Sequence, residues 1–431
     1  MASFSLKDGM ELGTASAATQ IEGGTLDHSW MHWARLGRVK DGTSPARADD
    51  HYSRWQEDDQ RMADMGMRIA RIGVEWARIE PTEGTFDQAA IDHYVEEVRW
   101  LNEHGIKPLV TLHHFTNPMW FERMGAFEKR ANLPYFLRFV TRVVQALGAE
   151  VTEYLTINEP NVYAALGYLF GVWPPGEKRF FKAMRVMAVL TAAHAQAYQL
   201  IHALQRGMGI RDTRVSFANS VHIFAPQNPN KFADRFGAYF ARRCLHESLS
   251  VAMMTGVFRW PVRNLAGTPK GNYCDFIALN YYTRTTMEGM RSAERKGVPV
   301  NDLGWEIYPQ GIVEAARMLY RIRALPIYVT ENGTCDNRDL FRSRYLFDHL
   351  QALSQSNLPF KRYYHWCFLD NFEWAEGESA RFGLVHVDYE TQKRTVKQSG
   401  KFFAEILRQG GVTETMYETY VADQQYPVRE K

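Results

Sequence analysis

Cysteine is scarce in this chain. Its four residues, Cys244, Cys274, Cys335 and Cys367, are widely spaced and form no C-x-x-C pair. Over 431 residues that pattern fits reduced core thiols and argues against a disulfide framework or a zinc site. Long apolar runs are absent too, and none approaches the ~20 residues of a membrane span. Charge of one sign is also missing: the formal net charge is +2 and no stripe gathers the Lys and Arg. Nothing therefore asks for nucleic acid or an anionic membrane. The N-terminus carries Lys7 and Asp8 where a signal peptide needs an apolar run. No internal repeat, low-complexity tract or linker interrupts the chain. These absences predict a soluble cytoplasmic protein acting on a small molecule, and they leave its oligomeric state open.

What is present is core material and alternation. Hydrophobic residues make up 45% and charged residues 23%, enough for a large globular core. Aromatics reach 13% with 11 Trp, which suits a sugar-binding cleft and a large core alike. Short apolar strands are predicted near 12–16, 68–74, 107–112, 151–157, 213–219, 276–282, 325–333 and 362–368. Amphipathic helical patterns separate them. One is the stripe Ile91, Tyr94, Val95, Val98 and Leu101, closed by Gly105; another runs Leu137, Val140, Val144 and Leu147 behind Pro134. Further helical patterns lie near 182–206, 312–323, 344–356 and 396–408. Eight strands alternating with helices favour a parallel α/β sheet, open or closed as a barrel. The connections 20–66, 220–270 and 283–310 read as long loops decorating a single domain, 1–431.

In a (β/α)₈ barrel the chemistry gathers at the C-terminal strand ends. Here those ends carry Arg71, His113-His114, Asn158-Glu159, Asn280 with Tyr282, Glu331-Asn332, and Trp366 running on to Glu373 and Trp374. Any one of them is ordinary as a helix N-terminal charge or a hydrogen-bonded core histidine. Recurrence at corresponding ends of many strands is not. Glu159 and Glu331 both close apolar strands and lie far apart in sequence, on strands that a barrel would set across its mouth. Two opposed carboxylates are what glycoside cleavage requires. A separation of about 5–5.5 Å corresponds to retention of anomeric configuration and roughly 6.5–9.5 Å to inversion. Sequence alone does not choose between them.

"TINEPN" (156–161) and "YVTENG" (328–333) resemble the acid/base and nucleophile signatures of family 1 glycoside hydrolases, the retaining β-glucosidases and β-glycosidases. "TASAATQIEGG" (14–24), "TLHHFTNP" (111–118), "FIALNYYT" (276–283), "GWEIYPQGI" (304–312) and "DNFEWAEGESARFGL" (370–384) extend the resemblance, in the family's order, over nearly the whole chain. It implies one (β/α)₈ TIM barrel whose long βα loops form the active-site mouth, and no cofactor or metal. It implies Glu331 as nucleophile and Glu159 as general acid, then base. Asn158 would hold the sugar 2-hydroxyl, while Gln20, His114, Glu373 and Trp374 would bind the other hydroxyls and Trp366 would floor the ring. Asn280 and Tyr282 complete the glycone set, Arg71 and Tyr282 would keep Glu331 ionised and oriented, and Trp305, with Trp173, would flank the leaving group.

The departures from the family pattern sit on the leaving-group side. Phe115 and Asn161 stand where Trp is common, and "MELGTAS" lacks the usual strand Trp. Glu373, Glu376 and Glu378 would repel a sugar phosphate, which favours neutral sugars. The implied activity is hydrolysis of terminal β-D-glucosyl residues, with galactosyl and fucosyl as side substrates. The negative Glu331 is expected to raise the pKa of Glu159, and a bell-shaped pH profile follows. Three rivals stand beside it: a transglycosylase using the same two glutamates, a catalytically silent sugar-binding protein on the same barrel, and a metal hydrolase built on His113-His114. The last is disfavoured because neighbours on a strand point to opposite faces, and no compact set with zinc spacing accompanies them.

Overall fold

The computed structural model describes residues 2–430. Eight strands close into a barrel: β1 (Glu11–Ala15), β2 (Ile69–Gly73), β3 (Lys107–Thr111), β4 (Glu153–Asn158), β5 (Arg214–Ser220), β6 (Ile277–Asn280), β7 (Ile327–Asn332) and β8 (Phe360–Trp366). Every neighbouring pair is parallel, and β8 closes on β1 with Trp366 opposite Ala15. The expected (β/α)₈ barrel is what the chain forms. Its strands are buried on both sides, as parallel strands inside a helical shell must be, and β7 shows no exposed residue from Ile327 to Asn332.

A helix follows each strand: α1 (His51–Asp64), α2 (Gln88–Glu103), α3 (Leu133–Leu147), α4 (Phe180–Gly207), α5 (Ser248–Thr255), α6 (Gly311–Tyr320), α7 (Arg342–Gln355) and α8 (Gln398–Gln409). Local chemistry sets their ends. Asp87 caps α2 by accepting from Ala90 N at 3.1 Å, and Pro134 lies in the first turn of α3, where its missing N–H costs nothing. The predicted strands and helices agree with these spans to within a few residues. No helix among the described residues is long and apolar enough to cross a membrane.

The expectation of plain loops at 20–66, 220–270 and 283–310 needs correction. The first holds Ser29–Arg35 and α1. The second holds the strand Ile223–Pro226, the helix Phe232–Arg242 and α5. The third holds the strands Arg284–Glu288 and Arg291–Ala293, which join Ile223–Pro226 in a small sheet beside the mouth. These elements evade sequence reading because their burial runs against the usual pattern: in Phe232–Arg242, Asp234 is buried while Phe232 and Phe236 are exposed. At the end of β7, Gly333 is obligatory. A Cβ there would sit 1.8 Å from the Trp366 carbonyl oxygen, so only glycine lets β7 and β8 converge behind Glu331.

Candidate active site

Arg71 is the hub of the barrel mouth. It projects from β2, is fully buried, and spends its donors on four neighbours. Nε donates to Thr111 Oγ1 (2.9 Å), Nη2 to Asn158 Oδ1 (2.8 Å), and Nη1 to the Thr330 carbonyl (3.1 Å) and to Glu331 Oε1. The other oxygen of Glu331 accepts from the Tyr282 hydroxyl at 2.6 Å. A carboxylate at the end of an apolar strand is costly unless paired, and both oxygens of Glu331 are met by donors, one of them a cation. Burial and the charge of Glu331 push the Tyr282 hydroxyl pKa well above its ordinary value, so it keeps its proton and donates.

Glu159 is built differently. It ends β4 in the left-handed region, φ 42°, ψ 59°, directly before Pro160 opens a short helix. Such a conformation costs a non-glycine residue about 1–3 kcal/mol and turns the side chain into the mouth. Asn280 donates to Glu159 Oε1 at 2.9 Å and to Asn158 Oδ1 at 3.1 Å, while its own oxygen accepts from Thr330 Oγ1 at 2.7 Å. Burial is the larger cause of a Glu159 pKa raised to about 8, and the Glu331 carboxylate is the second. The sequence-based expectation credited the neighbouring charge alone. Desolvation outranks it because the low-polarity site disfavours the charged form before any neighbour is counted.

Gln20, His114, Glu373, Trp366 and Trp374 are brought together beside the two carboxylates. Gln20 Nε2 donates to Asn371 Oδ1 (3.0 Å), the Phe372 carbonyl (2.9 Å) and Glu373 Oε2 (3.1 Å), while its own Oε1 is buried without a partner. Asn158 Nδ2 donates to His114 Nε2 at 2.9 Å, which places the imidazole proton on Nδ1. Burial and then Arg71 hold the His114 pKa well below its usual value, so the ring is neutral. Trp366 and Trp374 each lie 5.8 Å from the His114 ring, centroid to centroid. Burial, then Glu331, raises the Glu373 pKa to about 8; hydrogen bonds from Gln20 and Trp366 oppose the rise.

Glu159, Glu331, Glu373, His114, Tyr282, Trp305, Trp366 and Trp374 all line one cavity of about 1250 Å³. Arg71, Asn158, Gln20 and Asn280 stand behind that lining, bonded to the residues that form it. Trp305 is 5.9 Å from Tyr282 on the outer side. Trp173 also lines the cavity, packed against Trp30 (5.2 Å), Phe115 (4.9 Å) and Trp374 (5.9 Å). His113 and His114 diverge, with His113 Nε2 bonded to Asn117 Oδ1 at 2.8 Å. Among the described residues, His51, Asp59 and Glu97 bring three ligand-type atoms within 4.8 Å of one another. His51 is already committed to Asp58 at 3.0 Å, and the group does not line the cavity.

Sequence reasoning missed Ser220, a hydrogen-bond partner of Glu159, and the outer wall contributed by Phe224, Phe240, Leu245 and His246. Ser220 is the last residue of β5, and the wall residues come from the connection after it, where no strand-end signal marks them.

The chain matches the glycosyl hydrolase family 1 model over residues 3–256 and 270–412. Beta-glucosidase A of Thermotoga maritima is 31% identical, over 94% of this chain and 98% of that relative. Among solved structures, a beta-glycosidase from Pyrococcus horikoshii superposes with a TM-score of 0.87 at 31% identity, covering 97% of this chain and 98% of that one. The Thermotoga maritima beta-glucosidase in complex with glucoimidazole gives 0.85 at 30% identity, covering 95% and 100%. Strand-end carboxylates in one aromatic-walled cavity and full-length likeness to these enzymes lead to the same place: the chain belongs to glycosyl hydrolase family 1 and is a glycosidase.

Proposed function

We propose that this glycosidase removes terminal β-D-glucosyl residues, with Glu331 as nucleophile and Glu159 as acid and then base. The observation that carries the proposal is the opposite treatment of two carboxylates in one cavity. Glu331 is held by Arg71 and the Tyr282 hydroxyl, whereas Glu159 is buried with a pKa raised to about 8. A Glu331 oxygen attacks the anomeric carbon while Glu159 passes its proton to the glycosidic oxygen, and the aglycone leaves as an alcohol. Esterification removes the Glu331 charge, and departure of the aglycone admits water beside Glu159. Both changes lower the Glu159 pKa, so it takes a proton from the incoming water, which attacks the same carbon and frees Glu331.

The glycone reading rests on the Gln20 oxygen, His114 and Glu373 around the Trp366 floor, and on the beta-glucosidase name of the Thermotoga relative. Glu373 on the cavity wall offers a sugar phosphate no positive charge, which supports neutral sugars over phosphosugars, while Glu376 is paired with Lys40 at 2.6 Å. Nitrophenyl β-glycosides of glucose, galactose, fucose, xylose and glucuronic acid test it. Glucose is expected to give the highest kcat/KM, and a clear preference for another sugar would overturn the assignment. In the same assay kcat/KM on glucose should fall as pH rises through about 8, because Glu159 loses the proton it must donate. A plateau extending past pH 9 would remove Glu159 from the acid role.

Arg71 provides a separate test. Arg71→Met leaves a buried carboxylate without its cation, so urea unfolding should show a loss of about 3–5 kcal/mol. Lys at 71 offers one nitrogen to a site built for a fork, and should lower kcat at least tenfold even where the fold survives. Wild-type kcat in Arg71→Lys would contradict this account. The four buried thiols support a cytoplasmic setting; activity recovered in a secreted fraction would oppose it.

A further inference from the structure

Helix Phe232–Arg242 turns its apolar face outward. Its inner face is locked to the mouth sheet by Gly237, where a Cβ would fall 1.6 Å from the Gly289 carbonyl oxygen. Asp234 fixes it further by accepting from Gly289 N at 2.9 Å and Asn228 N at 3.1 Å. The opposite face carries Phe232, Phe236 and Phe240 at a four-residue spacing, one above the next. Their rings stack at 6.2 and 6.0 Å with planes within 28°. Phe232 is 72% exposed and Phe236 47%. Phe240 meets Trp260, itself 57% exposed, at 5.8 Å. An apolar stripe of this kind ordinarily faces a core, and a contiguous exposed one marks a binding surface.

Phe240 belongs both to this ladder and to the wall of the catalytic cavity. Inward from it the wall continues through Leu245, Cys244, Met184 and Leu166. Most polar groups beside this wall are bonded to one another, though Asn161 Oδ1 is buried without a partner, and Arg291 and Ser292 line the same cavity from the mouth sheet. Asn161 Nδ2 donates to the Ser220 carbonyl (2.8 Å), His246 Nε2 accepts from His222 N at 3.1 Å, and Nδ1 of that ring lies 3.3 Å from Asn161 Nδ2. Burial lowers the His222 pKa to about 4 and that of His246 to about 3, so neither carries charge near neutrality. A second sugar placed against this wall would lose water from its hydroxyls and find a single unpartnered acceptor, Asn161 Oδ1, an unfavourable exchange. An aliphatic chain would lose nothing. The cavity, at about 1250 Å³, also exceeds the ~300–1,000 Å³ of ordinary ligand pockets.

We infer that the aglycone side of this enzyme takes an extended apolar alcohol, whose tail leaves the cavity along the Phe240–Phe236–Phe232 ladder. The inference rests on the β-glucosidase reading above and adds the class of leaving group. Continuity of the ladder with the cavity favours a substrate tail over a second copy of the chain as its occupant.

Alkyl β-glucosides from ethyl to decyl, kept below micelle formation, provide the test, with cellobiose as the sugar-aglycone control. The expected result is a kcat/KM rising about threefold per added methylene through octyl, and octyl glucoside exceeding cellobiose. Phe240→Ser should lower kcat/KM for octyl glucoside about tenfold more than it lowers kcat/KM for ethyl glucoside. Phe236→Ser should act on decyl glucoside alone. A flat alkyl series, or cellobiose exceeding octyl glucoside, overturns the inference. So does an equal effect of Phe240→Ser on ethyl and octyl substrates. A drop in oligomer mass in Phe236→Ser with unaltered alkyl rates assigns the ladder to a second copy instead, and also overturns it. Nitrophenyl β-glucoside separates the two levels. If it is not cleaved, the β-glucosidase reading falls and takes this inference with it; if it is cleaved while the alkyl series stays flat, only the leaving-group class is wrong.

Discussion

Glu331→Gly is expected to lower kcat on nitrophenyl β-glucoside by a factor on the order of 10⁴–10⁶. The loss is so large because no neighbour can replace this carboxylate. It ends β7, where Arg71 and Tyr282 each hold one oxygen. Glycine leaves those two donors aimed at empty space about where the sugar's anomeric carbon must sit. Azide filling that space would attack from the face that Glu331 used, and the product should be an α-glycosyl azide. Peptide mapping after a slow-turnover 2-fluoro-glucoside supplies the independent check, with the sugar expected on the peptide holding Glu331. Sugar found on Glu159, or turnover within tenfold of wild type, would exchange or remove the assignment.

Glu159→Ala should split the two half-reactions. With a dinitrophenyl leaving group, which departs without a proton, the first step should proceed within about tenfold of wild type. Breakdown of the glycosyl-enzyme should slow by about 10²–10⁴-fold, because no base remains to activate water. Azide needs no base, so it should restore turnover and yield the β-glycosyl azide. An α product would reverse the roles. The alkaline limb near pH 8 should disappear in this variant with the dinitrophenyl substrate, because the group that titrates there has gone. A limb that persists would belong to another group; Glu373, also raised to about 8, is the one to test next.

Burial as the main cause of the Glu159 shift has a consequence for the reaction cycle. A charge-derived shift vanishes once Glu331 is esterified, but a burial-derived one lasts until water enters. The switch from acid to base therefore depends on the aglycone clearing the outer cavity. An apolar aglycone that lingers along the Phe240 wall would hold Glu159 protonated and slow the second step.

Sequence alone was enough for the barrel and most of its mouth. Apolar strands of four to seven residues alternating with amphipathic helices admit few folds, and strand ends are where a parallel barrel exposes its chemistry. Glu159, Glu331, Arg71, Tyr282 and the Trp366–Trp374 segment were legible because each sits at the end of a readable strand or in a family motif. The outer cavity was not legible. Phe224, Phe240 and His246 come from a connection whose helix buries Asp234 and exposes phenylalanine, the reverse of the pattern on which sequence reading relies. The ranking of burial over charge at Glu159 was hidden for a related reason: a neighbouring carboxylate can be guessed from a motif, but loss of solvent is a property of everything packed around it.

By itself, then, the order of residues determined the alternation of strands and helices, from local periodicity, and the closed ring, the two acids and the cation beside Glu331, from the family motifs at the strand ends. Only the tertiary structure decided how dry each acid is, which donors reach it, and that the outer wall of the cavity carries aromatic rings. Those properties are sums over neighbours brought together from distant parts of the chain, and no short stretch of sequence contains them.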